Sequence, residues 1–153
     1  LERIKREGLP LIKGMLKSLS EMRHYTIGFT NGCFDVLHAG HIHYLKQCKD
    51  RCDVLVLAVN GDVSTRHLKG VDRPRMGFDN RVSLLDEIGI ADFIVELVEP
   101  DPRNLLGVVM PDVFFKSDEY RHKVIPEDTT LAQIGADKMF IPIKYDSHSS
   151  TVI

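Results

Sequence analysis

At 153 residues the chain is long enough for one domain with a substantial core and too short for two ordinary ones. Its apolar fraction of 43% and charged fraction of 27% are those of a soluble globular protein, and no apolar run approaches the ~20 residues of a membrane helix. A formal net charge of −2 leaves no basic footprint for nucleic acid.

Residues 1–24 mix Leu1, Ile4, Leu9, Leu11, Ile12, Met15, Leu16 and Leu19 with many Lys, Arg and Glu, so an N-terminal helical extension is expected there, amphipathic enough to serve a homodimer. The domain proper is expected over 25–153. Its first strand is read at Tyr25–Phe29, a helix follows over Ile42–Cys52, and Asp53–Asn60 is a continuous apolar run of the kind covered on both faces of a parallel sheet. A short helix then reaches about Leu68, before the basic, turn-rich loop Lys69–Arg75. Asp79 is placed as the N-cap of a helix to about Gly89, with Val82, Leu84, Leu85 and Ile88 inward. A third strand is expected at Asp92–Val95 and a helix from Asp101–Pro102 to about Gly107. Val113–Lys116 gives a fourth strand, Ser117–Tyr120 a turn, Pro126–Gly135 a helix and Lys138–Ile143 a fifth strand; Ser149–Ser150–Thr151 resembles the first turn of one more helix. Strands alternating with helices predict an open parallel α/β sheet with helices on both faces, whose ligands bind beyond the carboxyl ends of the strands.

The cysteines, Cys33, Cys48 and Cys52, are odd in number and not spaced as a zinc site. Cys48 and Cys52 are expected to pack on one helix face, and free thiols fit a reducing, cytoplasmic setting. No secretory pattern opens the chain, and a start at Leu1 rather than Met suggests a piece of something longer.

The chemistry concentrates in Thr30-Asn31-Gly32-Cys33-Phe34-Asp35-Val36-Leu37-His38-Ala39-Gly40-His41, between strand one and the next helix. A helix start offers unpaired N–H groups and a positive dipole end to phosphate. Two histidines three residues apart flank that position, and Gly40 leaves room for close approach. Asp35 is expected to brace the loop and Phe34 to pack beneath it. Lys69, Arg73, Arg75 and Arg81 are the basic candidates for a triphosphate and an acceptor phosphate; ordinary solvated charge is the competing reading, above all for Arg73 and Arg75. The chain has no Gly-x-Gly-x-x-Gly after strand one, no P-loop, no metal-protease spacing and no nucleophile elbow. It also lacks the Lys-Met-Ser-Lys-Ser loop that accompanies His-x-Gly-His in class I aminoacyl-tRNA synthetases.

The stretch Gly32–His41 resembles the Gly-x-Phe-Asp-x-x-His-x-Gly-His signature of the cytidylyltransferase-like nucleotidyltransferases. Within them the chain is most similar to the adenylyltransferase branch of the bifunctional heptose-phosphate kinase/adenylyltransferases (ADP-heptose synthase). Phe29–Asp35 with His38–His41, Ala58–Ser64, Leu68–Gly70 with Arg73-Pro74, and Asn80-Arg81 carry the similarity.

That resemblance implies a Rossmann-like five-stranded fold and the reaction of a nucleoside triphosphate, ATP, with a sugar 1-phosphate. His38, His41 and Lys69 would be catalytic. Thr30, Asn31, Gly32, Cys33, Phe34, Gly40 and Arg81 would bind the nucleotide, with Ser149, Ser150 and Thr151 closing over it. Asn60, Lys116 and Asp118 are the acceptor-binding candidates, beyond strands two and four. Mg²⁺ would arrive on the nucleotide's own oxygens, with no protein metal site. Two departures bear on the branch: Asp146–Thr151 lacks the arginine of glycerol-phosphate cytidylyltransferases, and Lys116–Tyr120 replaces Lys-Gly-Gly-Asp-Tyr. A cytidylyltransferase acting on a phosphorylated alcohol, such as glycerol 3-phosphate, and a nucleotide-binding regulatory domain without turnover stand as alternatives.

Overall fold

A computed structural model describes residues 25–143, and within them three aspartates begin the sheet. Asp53, Asp92 and Asp112 each stand just before a strand and accept the N–H of a residue at or beside a neighbouring strand's start: Thr26 at 2.6 Å, Leu55 at 2.8 Å and Ile27 at 2.8 Å. The first amides of a strand have no ladder partner, so the carboxylates satisfy groups that would otherwise be orphaned.

Five parallel strands follow in the order β3-β2-β1-β4-β5: β1 Ile27–Gly32, β2 Val54–Asn60, β3 Phe93–Leu97, β4 Val113–Ser117 and β5 Asp137–Ile141. All seven residues of β2 are buried, as its unbroken apolar run requires. The chain lays down β1, β2 and β3 in one direction, then returns to place β4 on the other side of β1. The strand order therefore switches between β1 and β4, where the carboxyl ends open a crevice.

Helices α1 (Ala39–Asp50) and α3 (Phe78–Ile88) cover one face through Leu45, Cys48, Phe78, Val82 and Leu85, packed with Leu55, Leu57, Ile94 and Phe115. Helices α4 (Arg103–Val109) and α5 (Asp128–Ile134) cover the other through Leu105, Leu106, Val109 and Leu131, packed with Phe29, Val56, Val95 and Phe114. Helix α2 (Asp62–Lys69) follows β2, and a single 3-10 turn, Asp118–Tyr120, follows β4. Gly28 lies close beneath a ring from β4 and the thiol of the loop after α1. A Cβ there would lie 2.6 Å from a Phe115 ring carbon and 2.8 Å from Cys52 Sγ.

The α/β class and parallel sheet agree with expectation; several boundaries do not. β1 extends to Gly32 rather than ending at Phe29, because Asn31 and Gly32 still pair with Ala58 and Val59. α1 begins at Ala39, three residues early, because His38 is its N-cap. Asp79 is not the N-cap of α3. Gly77 is, and the first amide of the helix, Phe78 N–H, donates to Asp62 Oδ1 at 2.9 Å. Leu84 faces solvent, whereas Phe78 and Arg81 join Val82 and Leu85 on the buried side. α5 starts at Asp128, two residues past Pro126. β5 is an edge strand with Asp137, Lys138 and Met139 exposed. No helix among the described residues is long and apolar enough to cross a membrane. The N-terminal extension and Ser149–Thr151 lie outside the described residues.

Candidate active site

The site is built on the turn from β1 into α1. Thr30, near the end of β1, is buried and donates to the Phe115 carbonyl at 3.2 Å, so the Tyr44 hydroxyl, 3.0 Å away, donates to it. This ties β1 to β4 and to α1. Phe34 adopts a left-handed conformation (φ 50°) and buries its ring against His41, with ring centroids 5.2 Å apart. The ring also fills the space over Gly32, where a Cβ would stand 2.8 Å from it.

Asp35 is fully buried. It pairs with the Arg73 guanidinium and accepts the N–H groups of Arg75 at 2.7 Å and Met76 at 3.1 Å. Burial alone would push its carboxyl up. The hydrogen bonds from Arg73, Met76 and Arg75 outweigh that and hold it below the ordinary aspartate value. Asp35 thus braces the loop as expected, and Arg73 is neither solvated nor aimed at ligand.

The two histidines form a reciprocal cap. His38 Nδ1 accepts Gly40 N–H at 3.0 Å, and His41 Nδ1 accepts His38 N–H at 3.2 Å. The rings stack with centroids 3.8 Å apart, tilted by 25°. An Nδ1 that accepts a hydrogen bond carries no proton, so each neutral ring carries its proton on Nε2. Burial, then the neighbouring His38 and Lys69, lowers His41 to about 4. At neutral pH His41 is therefore an uncharged hydrogen-bond donor. Helix α1 has no acidic residue in its first turn, so its positive end is uncompensated.

A cleft of about 570 Å³ opens over this helix start. It takes Asn31, Gly32, Cys33 and Phe34 from β1 and its loop, His38, Gly40 and His41 from the start of α1, Asn60 and Lys69 from β2 and α2, and Lys116 from β4. Ten of the expected residues thus converge at the strand-order switch. Asn60 is held by bonds from its amide to Ser64 Oγ (3.1 Å) and the Glu99 carbonyl (3.2 Å), with Cys33 Sγ 3.8 Å from its Oδ1. Burial raises the Cys33 thiol, so it lines the cleft uncharged.

Three expected residues lie elsewhere. Thr30 is a buried strut behind the cleft. Asp118 opens the 3-10 turn and pairs with Arg121 at 2.6 Å instead of lining the cleft. Arg81, only 1% exposed, spends its donors on protein: the Cys33 and Asn60 carbonyls at 2.6 Å each, the Met76 carbonyl at 2.9 Å and Asp62 Oδ1 at 2.9 Å. It clasps the ends of β1 and β2 from α3 and reaches no ligand space. Sequence reasoning missed Tyr44, Ser117, Tyr120 and Glu127, all of which line the cleft. The available signal for Glu127 was its place between β4 and α5, on the carboxyl side of the sheet.

A family model described as cytidylyltransferase-like matches residues 29–152. The chain is 41% identical over 132 residues to the bifunctional protein HldE of Granulibacter bethesdensis, covering 80% of this chain and 27% of that protein. It is 37% identical over 148 residues to HldE of Pseudomonas fluorescens, covering 95% and 31%. The chain thus spans about 30% of the length of these relatives. Among solved structures, the lipopolysaccharide core biosynthesis protein of Thermoplasma volcanium superposes with a TM-score of 0.64 at 27% identity, over 78% of this chain and 97% of that one. Pantoate-β-alanine ligase of Francisella tularensis shares the fold, with a TM-score of 0.60 at 14% identity, over 92% and 67%. With its signature loop, its sheet order and this similarity together, the chain belongs to the cytidylyltransferase-like family of nucleotidyltransferases.

Proposed function

We propose that this chain transfers an adenylyl group from ATP to a sugar 1-phosphate, giving an ADP-sugar and pyrophosphate. The observation that carries the reading is the coupled histidine pair at the positive end of α1, on the cleft at the strand-order switch. A phosphate oxygen of the acceptor attacks the α-phosphorus. The new P–O bond forms as the bond to the β-phosphate oxygen breaks, and the electron pair leaves with pyrophosphate. No covalent enzyme intermediate is needed, so the protein's tasks are alignment and stabilisation of growing charge.

His41 suits those tasks as a neutral donor, His38 as the ring stacked beside it, and Lys69 as a compact positive charge at the cleft wall. Asn60, Cys33 and the backbone at Gly32 and Gly40 shape the phosphate path. Mg²⁺ would enter on the triphosphate's own oxygens and neutralise part of its charge. The similarity to the HldE relatives supports an adenylyl donor and a nucleotide-sugar product.

The test is pyrophosphate release from the chain with Mg²⁺, either ATP or CTP, and a panel of sugar 1-phosphates and phosphorylated alcohols. Release with ATP and a sugar 1-phosphate is expected. Release only with CTP and glycerol 3-phosphate would replace this reading with the cytidylyl one. Nucleotide binding with no release for any acceptor would leave a regulatory domain.

A further inference from the structure

The cleft wall built from β4 and the loop before α5 differs in chemistry from the histidine side. Glu127 is 2% exposed, yet it lines the cleft. Its Oε1 lies 3.6 Å from Lys116 Nζ, which itself sits 4.6 Å above the Tyr120 ring. Its Oε2 is buried and accepts no hydrogen bond among the described residues; Asn31 Oδ1 and Ser117 Oγ, on the same cleft, are in the same state. Two of these three atoms can only accept. A buried acceptor left without a donor is costly, more so when it is charged.

The missing partner must therefore bring donors. A second anion is disfavoured beside the Glu127 carboxylate, which places the phosphates on the histidine side. An ammonium would crowd Lys116, which already supplies the cation. Neutral hydroxyl groups remain: each can donate to Glu127 Oε2 or Asn31 Oδ1 while accepting from Ser117. We propose that Glu127, with Asn31 and Ser117, forms a subsite for the vicinal hydroxyls of a sugar. The proposal rests on the nucleotidyl-transfer reading and deepens it. The diol has two possible sources, the ribose of the nucleotide and the sugar of the acceptor, and one experiment separates them.

Calorimetric titrations of the whole chain and of Glu127→Gln would use ATP against 2′-deoxy-ATP and 3′-deoxy-ATP, and mannose 1-phosphate against ethyl phosphate. Wild type is expected to favour the hydroxyl-bearing member of one series by roughly tenfold or more. Glu127→Gln is expected to lose that preference while binding the hydroxyl-poor member as wild type does. The affected series names the source. A wild type indifferent in both series overturns the proposal even if the variant does not fold. A folded variant that keeps the full preference also overturns it. So does a preference for ATP over purine riboside triphosphate that Glu127→Gln removes with the hydroxyl preference intact, because the acceptors would then read a base amine. These are binding measurements. Loss of pyrophosphate release with the hydroxyl preference intact would sink the transfer reading alone, and the reverse would sink only the subsite.

Discussion

The imidazole of His41 accepts the backbone N–H of His38 at 3.2 Å, so the second histidine of the signature fixes the backbone from which the first projects. Each histidine serves the helix cap through Nδ1, which leaves the ring proton of the neutral form on Nε2. Asparagine places an oxygen where Nδ1 stands but has no counterpart of Nε2–H. His38→Asn and His41→Asn should therefore keep the cap, with melting temperatures close to wild type, and lose about 10²–10³-fold in kcat. His38→Ala should lose the cap as well, about 0.5–2 kcal/mol. Asparagine variants with near-normal kcat would remove these donors from the mechanism.

The depressed ionisation of His41 predicts a pH dependence of stability. The unfolded chain takes up this proton near the ordinary histidine value of 6.5, while the folded chain resists until about 4. The unfolded state thus binds more protons between those values. The contribution is complete above 6.5 and is lost as pH falls towards 4. A protonated Nδ1 would also face the His38 N–H as a second donor and break the cap. Urea midpoints at pH 7, 6, 5 and 4.5 should fall more steeply for wild type than for His41→Asn. Parallel curves would show that His41 titrates normally.

Asp35→Ala should be among the most destabilising single changes here. It removes the carboxylate that pairs with the Arg73 guanidinium, which is 8% exposed, and releases two backbone amides. A loss of about 3–5 kcal/mol is expected by urea unfolding. Since the Asp35 carboxyl sits below its ordinary value, its stabilisation is present above the unfolded aspartate range and disappears as pH falls through it and below. Wild type and the variant should therefore converge in acid.

Gly28→Ala tests packing without touching the site. Its methyl would press on the Phe115 ring and on Cys52. Overpacking of this kind costs about 1–3 kcal/mol, read as a lower urea midpoint, with nucleotide affinity retained in the folded fraction.

Arg81→Lys should behave as a structural lesion with a functional consequence. Lysine cannot serve the Cys33, Asn60 and Met76 carbonyls and Asp62 at once. A loss of about 3 kcal/mol or more in stability and weaker nucleotide binding are expected together. Weaker binding at unchanged stability would instead put the guanidinium in contact with ligand.

What could be read in the chain follows from where physics leaves a pattern in sequence. β2 is seven buried residues in a row, so its apolar run announced it. The histidine loop was legible because glycine, histidine and strand adjacency combine in few other ways. The start of α1 was not, since histidine is an unusual cap and the bond that makes it one comes from the Gly40 N–H. Asp79 failed as a cap because α3 starts before it, at Phe78, whose amide is held by Asp62, sixteen positions before Phe78. Arg81 misled for a plainer reason. A guanidinium that binds phosphate and one that binds carbonyls have the same letter, and only burial tells them apart. Glu127 was silent because an acidic residue before a helix is ordinary until its oxygen is seen to lack a donor.

The clasp made by Arg81 has a consequence for anyone moving this chemistry. The distance between the tips of β1 and β2 is set from behind, by a side chain borrowed from α3. Grafting the histidine loop into a foreign sheet would copy its letters and leave the tie rod behind. A transplant of this machinery must bring Arg81 and Asp62 along with the loop, or the two tips will drift and the loop will have nothing to hold its span.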